Sequence, residues 1–285
     1  MKTKLSDVSP LAWCFSSMGC QELTLPEIAA LAREHGVGQI ELRAVGDQID
    51  IPAHAAEARW LDERAEKLLG GNDVAIAGFN SSAKLSQPFE EAAREITAFA
   101  PLLEHFGAVS LRVFDGALDA SVGWDGVWRW LDAWEALREA NDWCFSLAIE
   151  THDSLLSPEN IALLFSRGHQ HIGLLWDSHH TWKKAGSDPL ATWEFVRQWT
   201  THIHVKDSIS RASARHPYTY VLPGEGEFPL MPLLDRLARD RFAGPVSLEW
   251  ERLWHPYMPS LDAALDAMGK LLVDRRDSTC AKRAV

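Results

Sequence analysis

Eight short apolar segments recur along the chain, and their regular spacing constrains the fold more than any other feature of the sequence. Successive segments begin 27 to 43 residues apart, a length that holds a strand, a loop, a helix and a second loop. Such alternation predicts a parallel sheet with right-handed crossovers. The predicted strands are Leu11–Met18, Gly38–Arg43, Val74–Asn80, Ala108–Phe114, Phe145–Glu150, Ile172–Asp177, His202–Lys206 and Pro245–Glu249.

The segments between these strands carry the start and stop signals of helices. Thr24 and Glu27 have the spacing of a capping box, and Gly36 follows the apolar pattern where a helix would end. Further helices are predicted after Ser157, after Asp188, over about 88–106 and over 261–273.

Eight strand–helix units in 285 residues fit a (β/α)8 TIM barrel, an α/β fold that typically needs about 250 residues. We expect a single domain over residues 1–285, with the barrel at about 10–275 and a C-terminal tail at 276–285. The rival is a doubly wound open sheet, which would carry a G-x-G-x-x-G turn after an early strand. No such turn occurs in this sequence.

Composition narrows the classes of partner. The net charge of −12 argues against nucleic acid as the main partner. No apolar run reaches the ~18 residues of a membrane span, so we expect no membrane partner. The first residues are polar, and no apolar signal-peptide core follows them. We therefore expect a cytoplasmic protein.

Polar side chains stand at the ends of the last four predicted strands, where a barrel of this type has its active site. The two-residue period of a strand turns Glu150, Asp177, His204 and Glu249 toward the barrel interior. Three carboxylates left together would repel one another, and a divalent cation removes this repulsion. Three oxygen ligands and one imidazole suit Mn²⁺, Mg²⁺, Co²⁺ or Zn²⁺. The alternative for Asp177 is that it only caps the next helix.

These residues belong to a longer pattern that resembles the xylose-isomerase-like TIM barrels, the sugar phosphate isomerase/epimerase superfamily. The matching motifs lie in the C-terminal half of the chain, and the spacing of the predicted strands in the N-terminal half also agrees with this family. The matching segments are Ile149-Glu150, Asp177-Ser-His-His180, His202-Ile-His204-Val-Lys-Asp207, Pro223-Gly-Glu-Gly226 and Ser247-Leu-Glu249.

The resemblance implies roles for individual residues. One divalent metal ion would be held by Glu150, Asp177, His204 and Glu249. Glu150 and Glu249 would also act as the acid–base pair on either side of the substrate. The remaining implied substrate-binding residues are His180, Arg211 or Arg215 before the Gly-Glu-Gly turn, and Glu41, which resembles an acidic residue often found on strand two.

Other polar residues near the predicted mouth have two interpretations each. Lys206 points inward one step beyond His204 and would donate a proton or bind a carboxylate or phosphate. His152 lines the mouth or forms an ion pair, as does Glu251. Arg43 and Arg112 either contact substrate or form internal salt bridges.

The resemblance implies removal of a proton from a carbon next to a carbonyl, with the cation stabilising the enediolate. This chemistry fits an isomerase or epimerase acting on a small sugar or sugar phosphate. A dehydratase of a cyclic polyol ketone, such as inosose or 3-dehydroshikimate, begins with the same step. Remoter alternatives are a hydrolase resembling the apurinic endonucleases, whose extra histidines are missing here, and a non-catalytic binding barrel. The resemblance also favours a homo-oligomer, either a dimer or a tetramer.

Overall fold

The structure is a computed structural model that describes residues 2–118 and 122–283. Within these residues, eight parallel strands close into a barrel, and a two-stranded antiparallel hairpin lies outside it. The predicted TIM barrel is therefore confirmed. The strands are β1 Ala12–Ser16, β2 Gln39–Leu42, β3 Ala75–Lys84, β4 Ser110–Phe114, β5 Ser146–Glu150, β6 Ile172–Asp177, β7 Thr200–Val205, β8 Asp207–Ile209, β9 Thr219–Val221 and β10 Pro245–Leu248.

The order of the barrel strands follows the chain, and β10 closes the ring between β7 and β1. The register brings the strand ends to one level: Asp177 pairs with His204, and His204 pairs with Ser247. Residues that end these strands therefore meet at one mouth of the barrel.

Helices cover the outside of the barrel and begin where the sequence predicts. The Thr24 capping box is present at the start of α2, and Ser157 and Asp188 cap α7 and α9. The helices are α1 Leu5–Val8, α2 Leu25–Glu34, α3 Ile51–Glu57, α4 Ala65–Leu69, α5 Phe89–Phe106, α6 Gly123–Ala140, α7 Pro158–Phe165, α8 Ser178–Ala185, α9 Pro189–Val196, α10 Leu230–Arg239 and α11 Leu261–Arg283, with 3-10 turns at Ser17–Cys20 and Trp60–Asp62.

Two elements are longer than the sequence pattern predicts. Helix α11 continues past Val273 to Arg283, because no proline or glycine follows to stop it. Strand β3 continues past Asn80 to Lys84, with a register shift between these residues. The run of serines after Asn80 is typical of a loop, but here it extends the strand toward the mouth.

Apolar side chains fill the space between the strands and the helices, and polar ones occupy part of the barrel interior. Leu147 and Ile149 face the helices and are buried, as the two-residue period predicts. Glu41, His202 and Ser247 are buried as well, although they are polar. Buried polar groups need partners, and the partners of Glu41 lead directly to the mouth.

Candidate metal centre and cavity

Glu150, Asp177, His204 and Glu249 converge at the C-terminal ends of β5, β6, β7 and β10. Each offers one ligand atom, and these four atoms all lie within 4.8 Å of one another. All four side chains are buried. The sequence-predicted cluster is therefore brought together by the fold.

His204 presents a different ring nitrogen to each of two neighbouring groups. Its Nδ1 lies 3.2 Å from Glu249 Oε1 and 3.5 Å from Glu150 Oε1. Its Nε2 lies 3.1 Å from the carboxylate of Glu41, which also accepts a hydrogen bond of 2.7 Å from Ser247 Oγ. Nδ1 is thus the nitrogen that faces the cluster, and Glu41 holds the ring from below.

Asp177 both caps a helix and belongs to the cluster, so the two interpretations of this residue do not exclude each other. Its Oδ1 accepts the backbone N–H of His180 at 2.8 Å, which caps α8. Its Oδ2 lies 2.8 Å from Lys206 Nζ and 3.1 Å from His180 Nδ1. The helix cap therefore uses Oδ1 alone, and Oδ2 lies among the charged groups of the site.

The cluster fits a divalent cation. His204 Nδ1, the nitrogen that faces the cluster, is buried without a hydrogen-bond partner in the part of the chain that the structure describes, and an unpaired buried polar atom is costly. A cation would satisfy this atom. Carboxylate oxygen and imidazole nitrogen without sulfur suit Mn²⁺, Mg²⁺, Co²⁺ or Zn²⁺.

The pKa values follow from the mixture of charges around the cluster. Burial opposes ionisation of Glu249, but the positive charges of His204 and Lys206 outweigh it and lower the pKa of Glu249 well below its usual range. Burial likewise opposes ionisation of Glu150, and the Arg112 guanidinium is the main cause that lowers the pKa of Glu150. Asp177 differs, because burial raises its pKa to about 6 in spite of Lys206. Both glutamates are therefore ionised at neutral pH.

Lys206 is a fully buried cation beside the cluster. Its Nζ contacts Glu249 closely and lies 2.6 Å from Glu251 and 2.8 Å from Asp177. Burial alone would lower the pKa of Lys206, but these three carboxylates raise it well above its usual value. The lysine is therefore charged, and its positive charge offsets part of the negative charge of the surrounding carboxylates.

A cavity of about 350 Å³ opens at this end of the barrel. Its size and its position at the C-terminal ends of the strands are those of a small-molecule site in this fold. It is lined by Met18, Arg43, Ser82, Lys84, Arg112, Phe114, Glu150, His152, Asp153, His180, Glu249, Glu251 and Trp254.

Some of the predicted substrate-binding residues line the cavity, and others lie outside it. His152 and His180 line the cavity, with their rings 4.8 Å apart between centroids. Glu41 lies below the cavity and contacts His204 instead. Arg211 and Arg215 are exposed around the β8–β9 hairpin and do not line the cavity, although the Arg215 guanidinium lies 6.0 Å from the Trp254 ring.

Lys84 and Phe114 also line the cavity, and the sequence pattern does not predict this. Lys84 escapes prediction because its strand is expected to end at Asn80. Phe114 ends β4. In this strand the apolar Leu111 and Val113 alternate with Arg112 and Phe114, and this two-residue period is the signal that could have placed Phe114 on the same face as Arg112.

The Pro223-Gly-Glu-Gly226 segment has a structural role beside the site. Asp207 accepts backbone hydrogen bonds of 3.0 Å from Gly224 and Gly226, and one of 3.1 Å from Phe228. A Cβ atom at position 226 would lie 2.0 Å from Asp207 Oδ1, so only glycine fits. Asp207, which directly follows Lys206 in the chain, thus anchors the turn that follows β9.

Comparison with protein families gives one match over most of the chain. A family described as "Xylose isomerase-like TIM barrel" matches residues 29–271. No protein of curated function matches the sequence. None of the helices in the described residues is long and apolar enough to cross a membrane.

Solved structures with a similar fold include three with informative names. The probable 3-DHS dehydratase AsbF of Bacillus anthracis is 20% identical, with a TM-score of 0.74, and the match covers 92% of this chain and 99% of that one. A zinc-containing IolI protein is 17% identical, with a TM-score of 0.68 and coverage of 93% and 97%. A D-tagatose 3-epimerase-like protein is 14% identical, with a TM-score of 0.63 and coverage of 96% and 100%. At these identities the likeness establishes the fold.

Proposed function

Because the chain belongs to the xylose isomerase-like TIM barrel family, we propose that it is a divalent-metal-dependent isomerase or epimerase of a small sugar or sugar phosphate. The observation that carries this proposal is the convergence of Glu150, Asp177, His204 and Glu249 beside a cavity of about 350 Å³. A bound cation would polarise the carbonyl of the substrate and stabilise the negative charge that develops on its oxygen.

The protein's own contribution is a pair of ionised carboxylates at the base of the cavity. Glu150 and Glu249 both line the cavity and come from strands separated by β6 and β7. A substrate between them meets one carboxylate on each side. One glutamate removes the proton next to the carbonyl, and the proton returns to the neighbouring carbon or to the opposite face. The first outcome is isomerisation and the second is epimerisation.

The test combines metal content with proton exchange. We expect about one divalent ion per chain, and uptake of solvent deuterium into the carbon-bound positions of an accepted ketose. The Glu150→Gln/Glu249→Gln double variant should lose both properties. The Glu57→Gln/Glu139→Gln variant makes the same charge change at exposed positions and should keep both. Absence of any bound ion in the wild-type protein, even after addition of Mn²⁺, would contradict the proposal.

A second candidate, a dehydratase, is favoured by the pairing of Lys206 with Glu251, a carboxylate that lines the cavity. A carboxylate removes the proton next to the carbonyl, and the bond between carbon and a β-hydroxyl oxygen then breaks with its electrons leaving on oxygen. Lys206 is buried and charged beside Glu249 and Glu251, and Tyr220 Oη donates a hydrogen bond of 2.7 Å to Glu251. Lys206 does not line the cavity, so Glu251 would pass the proton of the lysine to the leaving hydroxyl, which departs as water.

Products separate the two candidates. Inosose and 3-dehydroshikimate are suitable probes, because dehydration of either yields a conjugated product that absorbs ultraviolet light and has lost the mass of one water. An isomerase or epimerase gives a product of unchanged mass. The similarity to a probable dehydratase is a reason to include 3-dehydroshikimate in the first screen.

A further inference from the structure

The cavity has a cationic side that the proposed reaction does not use. Among the described lining residues, Arg43, Lys84 and Arg112 carry positive charge. They follow or lie on β2, β3 and β4, which are consecutive in the barrel, whereas the acidic cluster comes from β5, β6, β7 and β10. The cavity is therefore acidic on one side and basic on the other.

Arg112 is a buried cation with unused hydrogen-bonding capacity. Its side chain is 3% exposed, and its Nε lies 3.4 Å from Glu150 Oε2. That contact is an ion pair without the alignment of a hydrogen bond, and both Nε and Nη1 lack hydrogen-bond partners among the described residues. The guanidinium also lies 3.7 Å from the centroid of the Phe114 ring, which fixes its plane. A buried donor without a partner is costly, and a ligand that accepts from it would recover this cost.

Arg43 is held in place beside Arg112. Its Nη2 donates to Ser82 Oγ at 3.0 Å, and its Nη1 donates to the backbone oxygen of Ile49 at 3.4 Å. Burial and the like charge of Arg112 lower the pKa of Arg43 to about 10, so it is still charged at neutral pH. Two neighbouring guanidinium groups of the same charge attract an anion that can bridge them.

We propose that Arg43 and Arg112, with Lys84 at the rim, form an anion subsite, and that the substrate carries a carboxylate or phosphate on the end that faces β2, β3 and β4. This inference deepens the proposed function and rests on it for the position of the reacting carbonyl. It excludes a neutral monosaccharide as the preferred substrate. The competing interpretation of Arg112 is an internal one, in which it only keeps Glu150 ionised.

The experiment compares charged and neutral members of matched ligand pairs by calorimetry in saturating MnCl₂. Shikimate against its methyl ester tests a carboxylate, and fructose 1-phosphate against fructose tests a phosphate. In the wild-type protein we expect the charged member of one pair to bind at least about tenfold tighter, since charge-assisted bonds to arginine are strong. The pair that shows this preference identifies the anionic group.

Substitutions assign the preference to the two arginines. Arg112→Gln and Arg43→Gln should each reduce the ratio of the two affinities strongly, toward one. Arg129→Gln removes the same charge from the exposed face of α6 and should leave the ratio unchanged. Because the ratio is taken within each variant, a change in metal content acts on both members of a pair alike.

Two results would overturn the subsite. Equal binding of charged and neutral members in both pairs would remove its basis. A preference that survives both substitutions would assign the anion to the metal or to another group. Failure of the proposed function would give different results, namely no bound metal and no deuterium uptake. Metal analysis and proton-exchange assays measure these two properties independently of the calorimetry.

Discussion

At the residue scale, one imidazole connects the base of the cavity with the polar interior of the barrel. His204 Nδ1 faces Glu150 and Glu249, while Nε2 donates to Glu41 beneath. A carboxylate on the far nitrogen of a metal-binding histidine fixes the ring orientation and leaves the other nitrogen free as a ligand. Glu41 is therefore a positioning residue for the candidate metal centre.

Replacement of Glu41 tests this role. Glu41→Gln keeps the shape of the side chain but removes the charge that faces Nε2, and the burial of the site prevents water from substituting for it. We expect the affinity for Mn²⁺ to fall about 10- to 100-fold, measured by the paramagnetic resonance signal of free Mn²⁺. Glu139→Gln on the exposed face of α6 is the control. Unchanged affinity in Glu41→Gln would show that the ring is held by its packing alone.

The sequence predicts the members of the cluster better than it predicts how they contact one another. The two-residue period is sufficient to turn His204 and Glu249 inward. The role of Glu41 could not be predicted, because its partner His204 is 163 positions away and the contact depends on closure of the barrel. The sequence leaves Asp177 with two interpretations, a helix cap or a metal ligand, for a similar reason. A cap uses one carboxylate oxygen, and the pattern cannot indicate where the other oxygen points.

At the element scale, the connection between β7 and α10 depends on a single buried carboxylate. Asp207 Oδ2 accepts from Gly224 and Gly226, and Oδ1 accepts from Ser208 and Phe228. Four backbone donors on one side chain hold the β8–β9 hairpin and the following turn against the barrel. Lys206 precedes this anchor directly, so the position of the lysine depends on it.

Asp207→Asn should therefore destabilise the protein far more than an ordinary surface change. The amide group of asparagine would place a donor against two backbone donors, and we expect a loss of about 2–4 kcal/mol in the free energy of unfolding. Urea denaturation measures this value. Asp188→Asn is the matched control, because asparagine caps a helix as well as aspartate does and the change there should be a few tenths of a kcal/mol.

Equal stability losses in Asp207→Asn and Asp188→Asn would contradict the anchoring role of Asp207. The hairpin itself was not predicted, since strands of three residues such as β8 and β9 carry too few positions to show a period. The barrel strands are buried at nearly every position, and these short buried runs alternate with helices eight times along the chain, which makes their pattern visible in the sequence.

At the scale of the whole molecule, the barrel mouth concentrates charges of both signs that were distant in the sequence. The fold class follows from the eight repeated units, because that rhythm is a property of the entire chain. The division of the cavity into a basic side from β2, β3 and β4 and an acidic side from β5, β6, β7 and β10 appears only once the ring closes. A metal ion bound at the acidic side would act on the stability of the whole barrel, since its ligands come from four different strands.

Thermal unfolding with and without metal tests this consequence. An ion that binds the folded chain alone stabilises it by about 2.7 kcal/mol at one hundred times its dissociation constant, which corresponds to a rise of roughly 5 °C in Tm for a chain of this size. We expect this rise on addition of MnCl₂ and its reversal by EDTA. The Glu150→Gln/Glu249→Gln variant should show almost no rise, whereas Glu57→Gln/Glu139→Gln should show the full effect. An equal rise in both variants would mean that Mn²⁺ stabilises the barrel from a site elsewhere, and the four strand ends would lose their assignment as its ligands.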